Sequence, residues 1–454
     1  MKPLRAPLEA LVDHGLTVRF DELPDAVVAS AKARLSDVVG CALGGARADG
    51  CAGLLDMMVG QGGAPEARVI GTEYRLPAIN AAMVNAIFAR SFDFEVMTVR
   101  YHDELIPSHH SATTTSVALA AADIVGASGQ DMLTALIVGD DLAARLLIAS
   151  GLDFGQGWDG SSVYSVSGAV LAAARLYGLD RPQTIHAIGL AVAQISHTIQ
   201  DLYDGSPGFK LSQGTAARNA LTAVELAKHG WAGMTDPLGS RFGFFATYTA
   251  GCTRPEVLTE DIGRSYFAEE HFKRYPSCMA THHGIEAALA VQAMDGFDAE
   301  QVEEVTIRVP ERLLGNFCNK PFAPRAFPHC DAIFNFAFPV SVALQTGAVV
   351  PENYLGGAEG WAFGKTLTDR TKVGALGDGR RGIEVSAVLS DGRVFTQHND
   401  RLGADPRDGG YDPARAEAKF RMQAEPGHGG DRSGHIFESL ARVEMAARVS
   451  DLTY

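Results

Sequence analysis

Along the first 250 or so residues, apolar positions recur every three to four residues, the spacing of a buried helix face. Residues 24–43 (PDAVVASAKARLSDVVGCAL) open with Pro and Asp, which suit a first helical turn, and then keep that spacing. Residues 80–89, 111–125, 131–149, 162–177 and 182–195 repeat it. Ala and Gly crowd the inner faces, as in VALAAA at 117–122, and small side chains let helix axes approach closely. This predicts a compact helical bundle with several nearly buried helices.

The pattern changes after about Thr253. Residues 302–309 (VEEVTIRV) alternate apolar and polar and are rich in β-branched side chains, which predicts a strand. Residues 383–389 and 393–397 flank Ser390-Asp391-Gly392, a hairpin signature. Between these strands, 333–344 reads as a helix kinked at Pro339. Stretches 403–413 and 425–434, rich in Gly, Asp and Pro, are expected to be loop, and the sequence is otherwise helical from about Pro413. The chain is therefore expected to be mainly α. A large all-helical domain would cover 1–265, completed by 405–454, and a smaller α+β domain would cover 266–404.

A length of 454 residues exceeds one ordinary core, in keeping with two domains. Hydrophobic residues at 46% and charged residues at 20% are globular proportions. Lys plus Arg number 39 against 54 Asp plus Glu, a formal charge of −15 that repels nucleic acid and anionic lipid at long range. No nucleic-acid partner is expected. No run of about 18 apolar residues occurs, so no membrane span is expected. The N-terminal sequence lacks the apolar core of a secretory leader. Cys41, Cys51, Cys252, Cys278, Cys318 and Cys330 form no CxxC pair and read as reduced thiols of a cytoplasmic protein.

Three windows carry candidate chemistry. Residues 91–111 (SFDFEVMTVRYHDELIPSHHS) pack Asp93, Glu95, Arg100, His102, Asp103, Glu104, His109 and His110 between two apolar helices. A polar loop joining buried helices can form an active-site wall, and histidine exchanges protons near working pH. The plainer reading is a solvated loop that caps the next helix, with Ser108 placed as its N-cap. Residues 201–217 (DLYDGSPGFKLSQGTAA) set Lys210 before a helix expected to start near Ser212, where ammonium and free N–H groups together attract carboxylates. An ordinary surface lysine is the alternative. In 271–283 (HFKRYPSCMATHH), Lys273 and Arg274 precede Tyr275, Cys278 and His282, a grouping suited to a carboxylate. Cys278 and His282 have no matching pair nearby, so no metal is expected. Gly155-x-Gly157-x-x-Gly160 spells a dinucleotide fingerprint but follows no strand, and no GxSxG elbow occurs.

The three windows, in this order, resemble the MmgE/PrpD family, which includes 2-methylcitrate dehydratases, cis-aconitate decarboxylases and iminodisuccinate epimerases. Asp93-Phe94-Glu95 is similar to the family's D-F-D-D loop, with His109 at its closing histidine and His110 in place of the following proline. Lys210 to Arg218 is similar to K-x-x-x-G-x-A-A-R, and Phe272 to His282 to F-K-x-[YF]-P-x-x-x-x-T-H. Asn319-Lys320-Pro321 resembles an N-R-P segment, and Glu417 to Arg421 resembles E-A-K-F-R. Two departures stand out. Asp159 falls where the family's G-x-H-P-T-G has histidine, and the aspartate pair has become Asp93 with Glu95.

The resemblance implies a helical domain, an α+β lid, a homodimer, and an active site between domains with no metal or organic cofactor. It implies proton transfer at carbon beside a carboxylate of a small di- or tricarboxylic acid, with dehydration or decarboxylation as the outcome and epimerisation or isomerisation as the alternative. His109 is expected to be the general acid/base, with Lys210 and Lys273 holding carboxylates, Asp93 orienting and His282 assisting. Asp159 is expected to act as a base or to mark a different substrate. Arg100, Gln213, Tyr275 and Cys278 are expected to touch substrate.

Overall fold

The computed structural model describes residues 4–151, 157–325, 327–356, 366–377, 379–401 and 412–454. The chain is mainly α, with a small α+β portion near its C-terminal end. Helices α1 (Arg5–Thr17), α2 (Asp25–Gly45), α3 (Cys51–Gln61), α4 (Ala78–Arg90), α5 (Ser111–Val125), α6 (Gly129–Ser150), α7 (Gly160–Leu176) and α8 (Arg181–Val192) come first. After the short α9 (Gln200–Asp204), the long α10 (Gly208–Lys228) lies against α4, α7 and α8. Nearly every residue of α5, α6 and α7 is buried, because their small side chains let neighbours close in on all sides. The α6–α7 crossing shows the limit. A Cβ at Gly168 would land on the carbonyl of Gly139, so only glycine lets these backbones meet.

Two small hairpins, β1 (Ala67–Arg68) with β2 (Arg75–Leu76) and β3 (Val99–Tyr101) with β4 (Glu104–Ile106), interrupt the helices, and a short α11 (Phe244–Tyr248) follows α10. The α+β portion is a four-stranded sheet of order β6-β5-β7-β8, formed by β5 (Val302–Val309), β6 (Thr371–Ala375), β7 (Ile383–Leu389) and β8 (Val394–Asn399). Strands β5 and β6 are parallel and the other pairs antiparallel. Alternate residues of β5 and β7 are buried, and α12 (His282–Gln292) lies on β7 and β8, with α14 (Ala337–Thr346) packed against it. The β7–β8 hairpin turns at Ser390-Asp391-Gly392, where the sequence places it.

Three sequence expectations fail here. Residues 425–434 are helical: helices Pro413–His428 and Gly430–Ala441 meet at Gly429, whose φ of 77° breaks the path. Their Gly and Asp content marks that junction and does not make a loop. Residues 333–344 are not one helix: Ile333 ends α13 (Pro328–Ile333), 334–336 break the path, and α14 starts at Ala337, so Pro339 falls in its first turn, where no amide donor is needed and no kink results. Helix α10 begins at Gly208 instead of near Ser212. The stretch 402–411 lies outside the described residues, as does Gly155.

The helix Pro413–His428 returns to pack on α2, with Phe420 against Gly40 and Lys419 Nζ 2.5 Å from Asp37. No helix among the described residues is long and apolar enough to cross a membrane.

Candidate active site

Residues 91–99, expected in a polar loop, are all buried. Helix α4 ends at Arg90, whose Nη1 reaches back to Asp93 Oδ1 and lies 3.2 Å from Glu95 Oε1. The chain then forms a short hairpin, β3 (Val99–Tyr101) with β4 (Glu104–Ile106), that the apolar periodicity does not announce. Backbone bonds from Met97 N–H to His271 O (2.9 Å) and Glu270 N–H to Thr98 O (2.9 Å) bind this window to the third one. Ser108 does not cap α5. The buried Glu269 carboxylate accepts from the amides of His110 and Ser111 at 2.7 and 3.1 Å, while Ser108 Oγ sits 2.6 Å from His110 Nδ1.

His109 has φ 140°, uncommon for a side-chain-bearing residue and worth about 1–3 kcal/mol of strain. Two bonds hold it there. Gln213 Nε2 donates to its carbonyl at 2.8 Å, and its own Nδ1 lies 2.9 Å from Glu95 Oε1. Gln213 also donates to Glu95 Oε1 at 3.2 Å. An ionised carboxylate only accepts, so Nδ1 carries the proton and Nε2 presents a bare lone pair. Burial and the neighbouring Arg90 pull the His109 pKa down to about 4 against the opposing pull of Glu95, so the ring is neutral at pH 7. Burial alone would raise the Glu95 carboxyl, but Arg90, His109 and Lys273 outweigh it and hold it below the usual carboxylate range.

Lys273 is fully enclosed and donates to Asp93 Oδ2 and to the Asp93 carbonyl, both at 2.6 Å. Burial brings its pKa down to about 7, against the attraction of Glu95. Ligand atoms of Asp93, Glu95 and His109 lie within 4.8 Å of one another, as three metal ligands do. Arg90 bonds both of those carboxylates and Lys273 bonds Asp93, so their charge opposes a cation at that spot. The group is a charge-balanced hydrogen-bond network that ends on one imidazole.

Beside this network opens a cavity of about 740 Å³, lined by Arg90, Asp93 and His109 on one wall. Asp159 and Ser161 at the start of α7 form another wall, Cys278 and His271 a third, and Arg312 and Arg381 come from the α+β portion. Of the expected site residues, Asp93, His109, Asp159 and Cys278 line it, and Lys273 and Gln213 stand directly behind it. The other four lie elsewhere. Lys210 sits within the first turn of α10, where its ammonium donates to Asp49 O at 2.8 Å and lies 3.8 Å from Cys51 Sγ. His282 Nε2 is 3.2 Å from Ser277 O with its ring edge-on to Tyr275, both buried beneath the cavity wall. Arg100, on β3, pairs with Glu270 at 3.0 Å.

Arg90, Arg312 and Arg381 were not singled out by the sequence. Arg90 reads as the last turn of an amphipathic helix, and the other two stand alone in sequence, far from each window.

The fold and this cavity define a helical scaffold that sets a buried histidine among cations at the wall of one cavity. The MmgE/PrpD N-terminal domain matches residues 9–255 and the MmgE/PrpD C-terminal domain matches residues 275–440; the chain belongs to this family. It is similar to a cis-aconitate decarboxylase of Mus musculus, 26% identical over 353 residues that span 72% of this chain and 68% of that protein. The cis-aconitate decarboxylase-like protein oryM of Aspergillus oryzae is 25% identical, over 95% of this chain and 93% of its own length. A cis-aconitate decarboxylase of Aspergillus terreus is 27% identical, over 59% of this chain and 56% of its own.

Proposed function

We propose that the protein is a lyase that moves a proton at the carbon beside a carboxylate of a small di- or tricarboxylic acid, with loss of CO2 or of water, and needs no metal or organic cofactor. The observation that carries this reading is the neutral His109, whose Nδ1–H donates to Glu95 and whose Nε2, 3.8 Å from Asp93 Oδ1, makes no hydrogen bond among the described residues, in a cavity walled by Arg90. Arg90 Nε, buried, has no hydrogen-bond partner among the described residues, which leaves a donor for an anion. The relatives' names support acid chemistry of this kind.

In this reading Nε2 takes the proton from carbon and the imidazolium is steadied by Glu95, while Arg90 and Lys273 offset the charge gathering on the enolate. If C–O cleavage follows, the hydroxyl leaves as water with a proton from a second acid. If CO2 leaves instead, no proton is first taken from carbon: the electron pair of the broken C–C bond stays on carbon and takes up a proton that His109 Nε2 has first gained from solvent. General acid–base catalysis of this type contributes about 10²- to 10⁴-fold.

Proton NMR in D2O with cis-aconitate, citrate, 2-methylcitrate and hydroxy- and aminodicarboxylates tests the proposal, with His109→Ala run alongside. The expected result is an alkene or a CO2-loss product that the variant does not form. Deuterium entering carbon without net product would move the assignment to an epimerase. Undiminished turnover in His109→Ala would overturn the mechanism.

A further inference from the structure

The proposed site is asymmetric in charge, and the asymmetry bears on its ligand. Asp159 is the N-cap of α7: its Oδ1 accepts from Ser161 N–H at 2.9 Å and Ser161 Oγ at 2.6 Å. The carboxylate is held from behind as well. Asp159 N–H donates to His197 O at 3.1 Å, and Ile199 N–H to Gly157 O at 2.9 Å, so two short segments clamp as an antiparallel pair. Ser161 Oγ also lies 3.0 Å from Ser212 Oγ, a second contact on the capping hydroxyl. Only 8% of Asp159 is exposed, and that part belongs to the cavity wall. Its other oxygen, Oδ2, makes no hydrogen bond among the described residues.

Asp93 offers a contrast on the same cavity. Both of its oxygens are taken, one by Arg90 and one by Lys273. Asp159 pairs with no such cation among the described residues, and its unused oxygen is left on the cavity wall to take a donor from a ligand. A ligand carboxylate at that point would add like charge at low dielectric. A ligand hydroxyl or ammonium would complete the shell.

We infer that Asp159 is a specificity-determining residue, and that the substrate carries a hydrogen-bond donor, a hydroxyl or an ammonium, on the part of the molecule that faces α7, while its carboxylates face Arg90 and the arginine rim. The substrate class is thus a hydroxy or amino polycarboxylic acid in preference to one bearing carboxylates alone. This inference rests on the proposed reading of the cavity as an acid-binding site.

Succinate, malate and aspartate make the test, since they differ only in carrying hydrogen, hydroxyl or ammonium at one carbon. Binding of each is measured by titration calorimetry to the wild type and to Asp159→Asn, which keeps a capping oxygen for α7 and removes the charge. The wild type should bind malate or aspartate about tenfold to a hundredfold more tightly than succinate. In Asp159→Asn that preference should shrink to within about threefold. A larger loss for aspartate than for malate assigns the donor as ammonium, and a loss confined to malate assigns it as hydroxyl. Equal binding of all three acids by the wild type, or a preference that Asp159→Asn leaves intact, overturns the inference while the acid-binding site stands. Failure of all three acids to bind overturns both.

Discussion

Replacing Glu95 with glutamine isolates the electrostatic part of the His109 network. The amide has nearly the carboxylate's shape and can still offer an oxygen to His109 Nδ1, Arg90 and Gln213. What disappears is the negative charge 2.9 Å from the ring nitrogen. Spread over both groups, two unit charges about 4 Å apart interact by about 4 kcal/mol at an effective dielectric constant near 20. That energy acts on the imidazolium and hardly on the neutral ring, so the His109 pKa should fall by about 3 units at about 1.4 kcal/mol each. A base that much weaker removes a carbon-bound proton more slowly, and substrate C–H exchange should drop on the order of 10²-fold, toward the level of His109→Ala. Deuterium incorporation followed by NMR at saturating acid measures this, with a urea melt to separate lost stability from lost basicity. An exchange rate within threefold of wild type would refute the argument, because Glu95 would then position the ring without tuning it.

The pH profile of kcat/KM should be bell-shaped, falling as pH drops through about 4, where His109 gains its proton, and as pH rises through about 7, where Lys273 loses its own; an acid limb at the ordinary histidine value of about 6.5 would contradict the buried, cation-flanked His109. Asp93→Asn leaves Arg90 and Lys273 crowded about a neutral amide and should cost about 3–5 kcal/mol in urea unfolding. Gly45→Ala should destabilise by about 1–3 kcal/mol in the same assay, since its Cβ would land on the Phe88 carbonyl where α2 crosses α4. Glutamine at Arg312 or Arg381 should raise KM several-fold with little change in kcat, and less so at high salt, because these cations sit at the exposed rim of the cavity.

Much of the architecture was legible in one dimension. The helical period with small inner-face residues identified the bundle, and β-branched alternation identified β5 and the β7–β8 hairpin, because those signals reflect which face each element buries. The windows holding Asp93, His109, Lys273 and Gln213 were legible too, since charged groups stood out between apolar helices. Where reading failed, the deciding contact lay far along the chain. Gly and Asp at 425–434 carry opposite meanings in a loop and at a helix–helix junction, and packing on α2 chooses between them.

The residue types that do the proposed chemistry were set by the sequence; their division of labour was not. Lys210 and Lys273 looked alike as candidate carboxylate holders, yet one donates to Asp49 beyond the cavity and the other to Asp93 at its wall. Arg90 gave no local sign of a role, and it became one only when the turn after α4 folded Asp93 and Glu95 back onto it. Asp159 could be read as a base or as the mark of a different substrate, and nothing in the sequence said that one of its oxygens caps α7 through Ser161. Side-chain chemistry is local and a sequence determines it. Burial, partner and direction depend on how the chain turns and, for both lysines, on residues more than a hundred positions away, and these decide whether a lysine holds the fold or the site, so the tertiary structure alone decided them.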